Sequence, residues 1–387
     1  MATAVLRWAG LIFRRLPLRS TRVTLATARH SRLEGNLRYI YRALRRMRPQ
    51  ADTVLLLEPY GYGLGGRIQY FVRLLRGMYY LQTSRLFVVD NAYLPIHVAP
   101  HRTETTVVQV WHAAGALKRF GADAPGTVGP TERRFLHRNY DYVVVAAEAS
   151  RAHYASALRT PPERVVALGC SRTDFFFDET ALSSARQRVL RQHPELRGRR
   201  IVLYAPTFRG RGPAKHRAPG MDSARLRSLL PAEFALVLKT HPNLDPAATP
   251  TIGYDVVADP AAEINELLAA TAILVTDYSS SIIEWALLRR PLVLLVPDLE
   301  LYERVPGLYV DYRTEMIGTR VDDTDGVARA ILEGSFDLSG YGAFIARHLG
   351  ASDGTASERF VERFLPDASA QPAPAVADGL RAHVGNE

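Results

Sequence analysis

The sequence predicts an α/β protein made of two doubly wound, Rossmann-like parallel-sheet domains that face a cleft. The first observation is that short apolar runs alternate with helical segments along most of the chain. The second is that this alternation pauses over the polar segment 183–198 and then starts again. The third is the length of 387 residues, which fits two domains of roughly 100–200 residues each. Because a β-α-β series builds a parallel sheet, two consecutive series predict two such sheets.

Composition places the chain among ordinary globular proteins, since 47% of its residues are apolar. Cys170 is its single cysteine. This excludes an intrachain disulfide and a multi-cysteine zinc site, and it fits a reducing compartment. The sequence also lacks a His-Glu-Xaa-Xaa-His motif. We therefore expect no metal and no cofactor.

The formal net charge of +10 is concentrated at the N-terminus. Residues 1–50 contain twelve arginines and one glutamate, so they carry +11 and the remainder of the chain carries −1. A nucleic-acid binder is expected to have a basic face with interleaved aromatic side chains. The charge distribution argues against nucleic-acid binding and favours an anionic surface that residues 1–50 contact.

The first 19 residues predict a basic amphipathic segment that associates with a membrane. They combine Leu6, Trp8, Leu11 and Ile12 with arginines. The longest apolar run, 8–13, is far shorter than the roughly 20 residues that span a bilayer, and it lacks the apolar core of a signal peptide. Such a segment is typical of an interfacial anchor, so we expect a peripheral protein on the cytoplasmic face of the cell membrane. The alternative is a solvated, frayed N-terminus.

The first domain is expected over residues 20–182. Strands are predicted at 22–28, 54–57, 86–89, 107–110, 142–146 and 165–168, and helices at 36–46, 68–75, 131–137 and 149–158. The strand runs are continuously apolar, as in strands buried on both faces. A glycine-rich loop at 61–66 predicts either a tight turn or an acceptor-binding loop that contains Gly63 and Gly65.

The second domain is expected over residues 199–340, after a helical linker at 183–198. Strands are predicted at 201–204, 235–238, 255–257, 272–275 and 292–296, and helices at 226–230, 263–270, 282–288 and 327–333. Residues 341–365 predict helices that pack back across the domains, and the tail 366–387 predicts disorder. Ligands of doubly wound sheets bind beyond the carboxyl ends of the strands, so polar residues at those ends are the candidates for a site.

The segment 276–284 is the strongest candidate. It reads Thr276-Asp277-Tyr278-Ser279-Ser280-Ser281-Ile282-Ile283-Glu284 and joins an apolar strand run to an apolar helical run. The N-terminus of a helix after a strand presents N–H groups and a positive dipole end, which bind phosphate. Asp277 and Ser279 would also cap the helix, and the two roles are compatible. Glu284 would either accept hydrogen bonds from ribose hydroxyls or pair with an arginine.

His112 is the candidate general base. It lies just past the predicted strand 107–110 and precedes small residues that permit close approach. Histidine titrates near neutral pH and can take a proton from a hydroxyl group. Lys118 follows and would contact an anionic substrate. A hydrogen-bonded loop histidine is the alternative.

Three more strand ends in the second half of the chain carry polar groups. Thr207 and Arg209 follow one strand, Lys239 and His241 follow the next, and Asp298 follows a third. Together with the hydroxyl cluster at 276–284, these groups favour a phosphorylated ligand over a neutral one.

Taken in order, these motifs resemble the CDP-glycerol glycerophosphotransferases of teichoic-acid assembly, which are similar to GT-B glycosyltransferases. The resemblance covers roughly residues 20–365. It runs through Asn36-Leu37-Arg38-Tyr39-Ile40-Tyr41, Gln109-Val110-Trp111-His112, Tyr140-Asp141-Tyr142, Leu168-Gly169-Cys170-Ser171-Arg172-Thr173-Asp174, Tyr204-Ala205-Pro206-Thr207-Phe208-Arg209, Lys239-Thr240-His241-Pro242, Thr276-Asp277-Tyr278-Ser279-Ser280, Arg290-Pro291, Asp298-Leu299-Glu300-Leu301-Tyr302 and Asp353-Gly354-Thr355-Ala356-Ser357-Glu358-Arg359.

The resemblance implies a GT-B-like fold and transfer of glycerol phosphate from CDP-glycerol to a lipid-linked glycan or polymer acceptor, with release of CMP. It implies that His112 is the base on the acceptor side and that His241 lies beside the donor diphosphate. The donor phosphates would contact Thr276, Ser279 and Ser280.

Glu284 falls where the family has an acidic donor-binding residue. Charge and position add Thr207, Arg209, Lys239 and Asp277 to the expected donor site.

One motif departs from the family pattern. The family commonly has His-Gly-Thr-Pro-Leu-Lys, whereas this chain has His112-Ala113-Ala114-Gly115-Ala116-Leu117-Lys118. The alternatives to glycerol-phosphate transfer are ribitol-phosphate transfer from CDP-ribitol, a GT-B glycosyltransferase that uses a nucleotide-sugar, and a scaffold that binds lipid-linked polymer without catalysis. The acceptor, the number of additions and the oligomeric state are left open.

Overall fold

The computed structural model describes residues 2–58, 63–124, 136–209, 221–240 and 252–366. The predicted helix at 131–137, the predicted disordered tail and His241 lie largely or wholly outside these described residues. Elements are numbered below over the described residues.

The first sheet has six parallel strands in the order β2-β1-β3-β4-β5-β6. Its strands are β1 Arg19–Thr27, β2 Asp52–Leu57, β3 Ser84–Val89, β4 Thr106–Gln109, β5 Tyr142–Val145 and β6 Val165–Ala167. Strand β1 lies between β2 and β3 and is buried from Arg22 to Thr27.

The second sheet also has six parallel strands, in the order β12-β11-β10-β7-β8-β9. Its strands are β7 Arg200–Tyr204, β8 Phe234–Leu238, β9 Val256–Val257, β10 Ile273–Thr276, β11 Leu292–Leu295 and β12 Thr319–Val321. The prediction of two doubly wound parallel sheets is therefore confirmed. The edge strand β12 was not predicted, because a three-residue strand is too short to give an alternation signal.

Helices cover both faces of the two sheets. They are α1 Ala2–Phe13, α2 Gly35–Met47, α3 Gly63–Thr83, α4 Leu94–Val98, α5 Arg151–Ala157, α6 Glu179–Gln192, α7 Ser223–Leu229, α8 Ile264–Ala270, α9 Ser281–Leu288, α10 Leu299–Tyr302, α11 Thr324–Glu333, α12 Tyr341–Leu349 and α13 Ala356–Phe364. No helix among the described residues is long and apolar enough to cross a membrane.

The glycine-rich segment 61–66 was predicted to be a tight turn or an acceptor-binding loop, but from Gly63 onward it is helical, because α3 begins there and includes Gly65; residues 61 and 62 lie outside the described residues. The helix is also longer than predicted and extends to Thr83. Leu74, Met78 and Leu81 are buried at spacings of four and three residues, and this packing maintains the helix despite the low helix propensity of its glycines.

The two C-terminal helices connect the domains. Phe344 of α12 lies in the core of the second domain with Trp285 of α9. Phe360 and Phe364 of α13 pack instead against α2 in the first domain, where Leu37 is fully buried. The chain thus returns to its first domain before it ends.

Each sheet has one topological switch point, where neighbouring strands continue in opposite directions across the sheet. In the first sheet it lies between β1 and β3, and in the second between β7 and β10. Ligands of doubly wound sheets bind at the carboxyl side of such a point. The residues that follow β1, β3, β7 and β10, together with those that follow β4, are therefore the candidates for a binding site.

Candidate active site

His112 lies three residues past the end of β4, on a chain that turns sharply. Trp111 has a left-handed backbone, with φ of 50°, and its N–H donates to the Gln109 side chain at 2.8 Å. The Asn36 amide of α2 donates to the Val110 and Trp111 carbonyls at 3.1 and 2.9 Å. These bonds fix the turn, and the His112 ring packs 4.5 Å from the Trp111 ring, centroid to centroid.

The surroundings of His112 keep its imidazole neutral. Burial and the positive charges of Arg29 and Arg172 hold the pKa of His112 well below the ordinary histidine value. Its Nδ1 is buried and has no hydrogen-bond partner among the described residues. A neutral imidazole can accept a proton, so the ring is in the form that a general base requires.

Asp90 and Arg29 lie beside His112 at the switch point of the first sheet. Asp90 follows β3 and is 5% exposed. Burial raises the pKa of Asp90 to about 6, while a hydrogen bond from Thr27 and the charge of Arg29 oppose the shift. Burial in turn lowers the pKa of Arg29. A carboxylate and a guanidinium with such shifts in a cleft are typical of functional sites.

The segment after His112 crosses to the second domain. The Tyr154 hydroxyl donates to the carbonyls of Ala113 and Gly115 at 3.0 and 3.3 Å. A Cβ on Gly115 would lie 2.6 Å from Cδ1 of Ile283 in α9, so the glycine permits this close approach. Lys118 forms an antiparallel backbone bridge with Leu308 of the second domain, and its side chain is half-buried.

An ion pair links the two domains directly behind the site. The Arg172 guanidinium donates to the Glu284 carboxylate and, through its other terminal nitrogen, to the His112 carbonyl at 2.8 Å. Glu284 is completely buried, and 15% of the Arg172 side chain is exposed. The Asn36 side chain also accepts from the Arg172 backbone N–H at 2.9 Å. Of the two predicted roles for Glu284, the structure shows the pairing with an arginine.

The switch point of the second sheet is held by Asp277. Its carboxylate accepts from the Thr207 N–H at 2.9 Å and the Thr207 hydroxyl at 3.0 Å, and it pairs with Arg209 at 2.9 Å. Arg209 also forms a two-pronged ion pair with Asp298, at 2.6 and 3.1 Å. Asp277 therefore ties the loop after β7 to the loop after β10, and it does not cap α9 as the sequence suggested.

The hydroxyl groups of the turn before α9 divide into buried and accessible members. The Thr276 hydroxyl is fully buried and donates to the Ala205 carbonyl at 2.6 Å. Ser279 and Ser281 share a hydroxyl–hydroxyl bond of 2.8 Å. Ser280 is half-buried, and its hydroxyl has no partner among the described residues. Ser279 and Ser280 are thus the two hydroxyl groups at the start of α9 that a ligand can reach.

Lys239 lies after β8 at the edge of the same cleft. Burial lowers the pKa of Lys239 to about 8, against the opposing effects of Asp259, Glu263 and Glu34. Its ammonium donates to the Pro260 carbonyl. A lysine with such a pKa is still mostly protonated at neutral pH and carries a positive charge into the cleft.

The described residues contain no group of three or more His, Cys, Asp or Glu side chains placed to hold a metal ion. One Asp-Xaa-Asp spacing occurs, at Asp323–Asp325. Asp323 accepts from the Gly326 N–H at 2.7 Å and caps α11, whereas Asp325 pairs with Arg225 at 2.6 Å. These aspartates have structural partners, and the absence of a metal stays a prediction.

Several residues of the site were not predicted individually. Asn36 and Arg172 were noted only within longer motifs, and Arg29, Asp90 and Glu263 were not noted. Burial raises the pKa of Glu263. Arg29 and Asp90 each follow a strand by one or two residues, so the rule that selected His112 would have found them.

Comparison with known proteins identifies the family. The sequence model of the family described as CDP-Glycerol:Poly(glycerophosphate) glycerophosphotransferase matches residues 9–365. The teichoic acid ribitol-phosphate primase of Bacillus spizizenii is 32% identical over 90% of this chain and 93% of its own length. The poly(ribitol-phosphate) polymerase of that organism is also 32% identical, over 94% of this chain, and the chain spans 59% of that polymerase.

Similarity extends to a glycerol-phosphate enzyme and to a solved structure. The teichoic acid glycerol-phosphate primase of Bacillus subtilis is 27% identical over 76% of this chain and 77% of its own length. The structure of the wall teichoic acid polymerase TagF superposes with a TM-score of 0.74 at 18% identity and covers 93% of each chain. At that identity the superposition establishes the shared fold, which confirms the GT-B-like prediction. The chain, an enzyme of the transferase class as its motifs predicted, therefore belongs to the CDP-glycerol:poly(glycerophosphate) glycerophosphotransferase family.

Proposed function

We propose that the protein transfers glycerol phosphate from CDP-glycerol to a hydroxyl group of a membrane-linked acceptor and releases CMP, as a step of teichoic-acid or related cell-surface polymer synthesis. The description of the family supports the donor, and the names of the relatives support the polymer. The observation that carries the proposal is His112. It is a half-buried, neutral imidazole after β4, and its buried Nδ1 has no partner among the described residues.

The acceptor and donor sides of the cleft are close together at this point. The loop that begins with His112 packs on α9 through Gly115 and Ile283. Arg172 bonds both the His112 carbonyl and Glu284, which lies one turn into the same helix. A donor phosphate at the Ser279–Ser280 turn would therefore lie next to an acceptor bound at His112.

The proposed step is an in-line displacement at the phosphorus that bears the glycerol. The acceptor oxygen forms a bond to this phosphorus while the bond to the CMP oxygen breaks, and His112 takes the acceptor proton. This proton transfer contributes about 10²–10⁴-fold to the rate. The N-terminus of α9, Lys239 and His241 would stabilise the charge on the phosphates and on departing CMP.

The other predicted donor residues have different contacts, and these support different roles for them. We propose that Thr207, Arg209 and Asp277 hold the donor loops in place through their mutual bonds. Ser279 and Ser280 contact the phosphates directly. Thr276 supports the same turn from beneath, because its hydroxyl already bonds the Ala205 carbonyl. We propose no metal or cofactor for this step.

A second candidate donor is CDP-ribitol. The observation that favours it is the match to the ribitol-phosphate primase, which covers 90% of this chain and 93% of that protein at 32% identity. Both donors carry the same CDP group and the same reacting phosphorus, so the residues described above suit either one. The difference lies in the polyol chain, which must fit beyond the phosphate.

We also propose that the protein acts at the cytoplasmic face of the membrane as a peripheral protein, where its acceptor is anchored. The support is α1, in which Trp8 is 69% exposed and Ile12 is 56% exposed. Large apolar side chains on a solvent-facing helix stripe favour an interface with lipid.

Release of CMP tests the chemistry. Purified enzyme is given CDP-glycerol, CDP-ribitol or a UDP-sugar, with and without membrane lipid extract that contains acceptor. We expect acceptor-dependent CMP release that His112→Ala lowers by about 10²–10⁴-fold. The matched control is His193→Ala, since His193 follows α6 and is partly exposed, and it should retain full activity.

Each outcome decides one part of the proposal. Near-normal transfer by His112→Ala would show that another group is the base. Absence of CMP from both CDP-alcohols would remove the donor assignment, and turnover of the UDP-sugar would move the protein to the nucleotide-sugar transferases.

A further inference from the structure

A cavity lies on the opposite side of the first sheet from α2, between α1 and the segment that contains α4. It has a volume of about 390 Å³. The described residues that line it are Arg7, Gly10, Leu11, Arg14, His97, Val98, Ala99, Pro100, Arg138 and Asn139. None of these lining residues is acidic, whereas three are arginines.

The walls of the cavity are held in fixed positions by hydrogen bonds. The Arg7 Nε donates to the Val98 carbonyl at 2.9 Å. The Asn139 amide donates to the carbonyls of Ile96 and Ala99 at 2.7 and 3.3 Å. Gly10 allows α1 to lie close to the wall, because an added Cβ would be only 3.3 Å from the Ala99 side chain.

Two of the three arginines that line the cavity carry charges without an ion-pair partner in the described part of the chain. Arg14 and Arg138 are both exposed, and neither forms an ion pair with a described residue. Glu104 is an acidic residue near Arg102 and Arg14. It is fully exposed and does not line the cavity. His97 is 4% exposed, and its Nε2 lacks a hydrogen-bond partner among the described residues. These groups suit an anion with several oxygen acceptors.

The cavity opens beside a stripe of exposed apolar side chains on α1. Val5, Trp8, Leu11 and Ile12 are 43%, 69%, 50% and 56% exposed. Trp8 is three positions after Val5, and Leu11 and Ile12 are three and four positions after Trp8, so the four side chains share one side of the helix. Leu11 belongs to both features, since it is part of the stripe and also lines the cavity. An anion in the cavity therefore lies next to the apolar stripe.

We propose that this cavity binds the phosphate of an anionic membrane phospholipid while the stripe of α1 enters the acyl region below it. The exposed stripe favours a lipid over a soluble phosphate. The acyl chains of a lipid would cover the exposed tryptophan and isoleucine, whereas a soluble anion would leave them in water. This inference rests on the membrane location proposed above. It adds a defined headgroup site that fixes the depth and rotation of α1.

Vesicle sedimentation tests the site. Phosphatidylcholine vesicles with and without one-third phosphatidylglycerol are used at about 0.5 M KCl, where charges are screened beyond about 4 Å. Two double variants with the same charge change are compared: Arg14→Gln/Arg138→Gln removes cavity arginines, and Arg15→Gln/Arg19→Gln removes exposed arginines that do not line the cavity.

We expect the cavity variant to bind phosphatidylglycerol vesicles about 25-fold more weakly than wild type, at about five-fold per arginine. The control variant should change by less than about two-fold, since its diffuse attraction is screened. Equal losses in the two variants would overturn the headgroup site. Trp8→Ser/Ile12→Ser should also weaken binding, and unchanged binding would overturn the insertion of the stripe.

Two further measurements are needed. One distinguishes a lipid phosphate from a soluble phosphate, and the other distinguishes failure of the headgroup site from failure of the proposed transferase function. If millimolar inorganic phosphate raises the Tm of wild type but not of the cavity variant, and vesicles do not bind, the site takes a soluble anion and the proposal is wrong. CMP release with a detergent-solubilised acceptor should be the same in wild type and the cavity variant. Wild type that binds vesicles through Arg14 and Arg138 but releases no CMP would retain the lipid site and lose the transferase assignment.

Discussion

The buried ion pair between Arg172 and Glu284 predicts a large and specific loss of stability. Glu284 lies in α9 of the second domain, is completely buried, and has a second carboxylate oxygen without a partner among the described residues. Replacing it with leucine leaves the Arg172 guanidinium in a site where only 15% of its side chain reaches solvent. Removal of one partner of a buried pair costs about 3–5 kcal/mol, because the remaining charge stays desolvated.

The structure places this variant at the lower end of that range, at about 3 kcal/mol. The Arg172 guanidinium keeps its hydrogen bond to the His112 carbonyl at 2.8 Å, so it is not wholly uncompensated. Leucine also removes the unpartnered Glu284 oxygen, whose burial is itself unfavourable. If the charge left behind is the source of the loss, the double variant Arg172→Met/Glu284→Leu should be more stable than Glu284→Leu alone.

Urea denaturation followed by tryptophan fluorescence measures the effect. The control is Asp325→Leu, which removes the carboxylate of a two-pronged pair with Arg225 that is about half exposed, and its midpoint should hardly move. The reasoning is refuted if Glu284→Leu is no less stable than this control. It is also refuted if the double variant is no more stable than Glu284→Leu alone.

Two other predictions concern the same cleft. Because burial raises the pKa of Asp90 to about 6 from 3.8, the folded state binds its proton more tightly than the unfolded chain does, and this group's contribution to stability falls as pH rises from about 4 to about 6. Asp90→Asn should remove this pH-dependent loss of stability, which amounts to about 3 kcal/mol at about 1.4 kcal/mol per pKa unit. If the urea midpoint of Asp90→Asn depended on pH between 4 and 7 as that of wild type does, the prediction would be wrong. Gly115→Ala should destabilise the domain contact by about 1–3 kcal/mol, since the new Cβ would lie 2.6 Å from Cδ1 of Ile283. Ile283→Val removes that atom and should restore most of the loss in thermal denaturation, so a double variant that is worse than Gly115→Ala would disprove the contact.

The sequence predicted the strands well where they were long, apolar and central. The runs before His112 and before Asp277 are β4 and β10, and both end within a residue or two of the predicted position. Such runs are informative because a strand buried on both faces must be apolar throughout. In the glycine-rich segment the prediction of a turn or loop was wrong from Gly63 onward, since these glycines are the first residues of the long helix α3, whose Leu74 and Met78 are buried.

The candidate functional residues divide in the same way. A rule based on strand ends located His112, Lys239 and the hydroxyl cluster before α9, because the carboxyl ends of parallel strands always meet at one edge. It could not tell which polar groups at that edge remain accessible. The side chains of Thr276 and Asp277 form hydrogen bonds inside the protein. The Ser280 hydroxyl is half-buried and has no partner among the described residues.

The sequence by itself determined the two parallel sheets, the family and the strand ends around which the site is built, because these depend on local periodicity and on motifs in fixed order. Only the tertiary structure decided the partners of the charged groups. Arg172 and Glu284 are separated by 112 positions in the chain, and no local pattern predicts that they meet. The cavity between α1 and Arg138 depends in the same way on the packing of distant segments, since the shape and charge of a cleft arise only when separate elements come together.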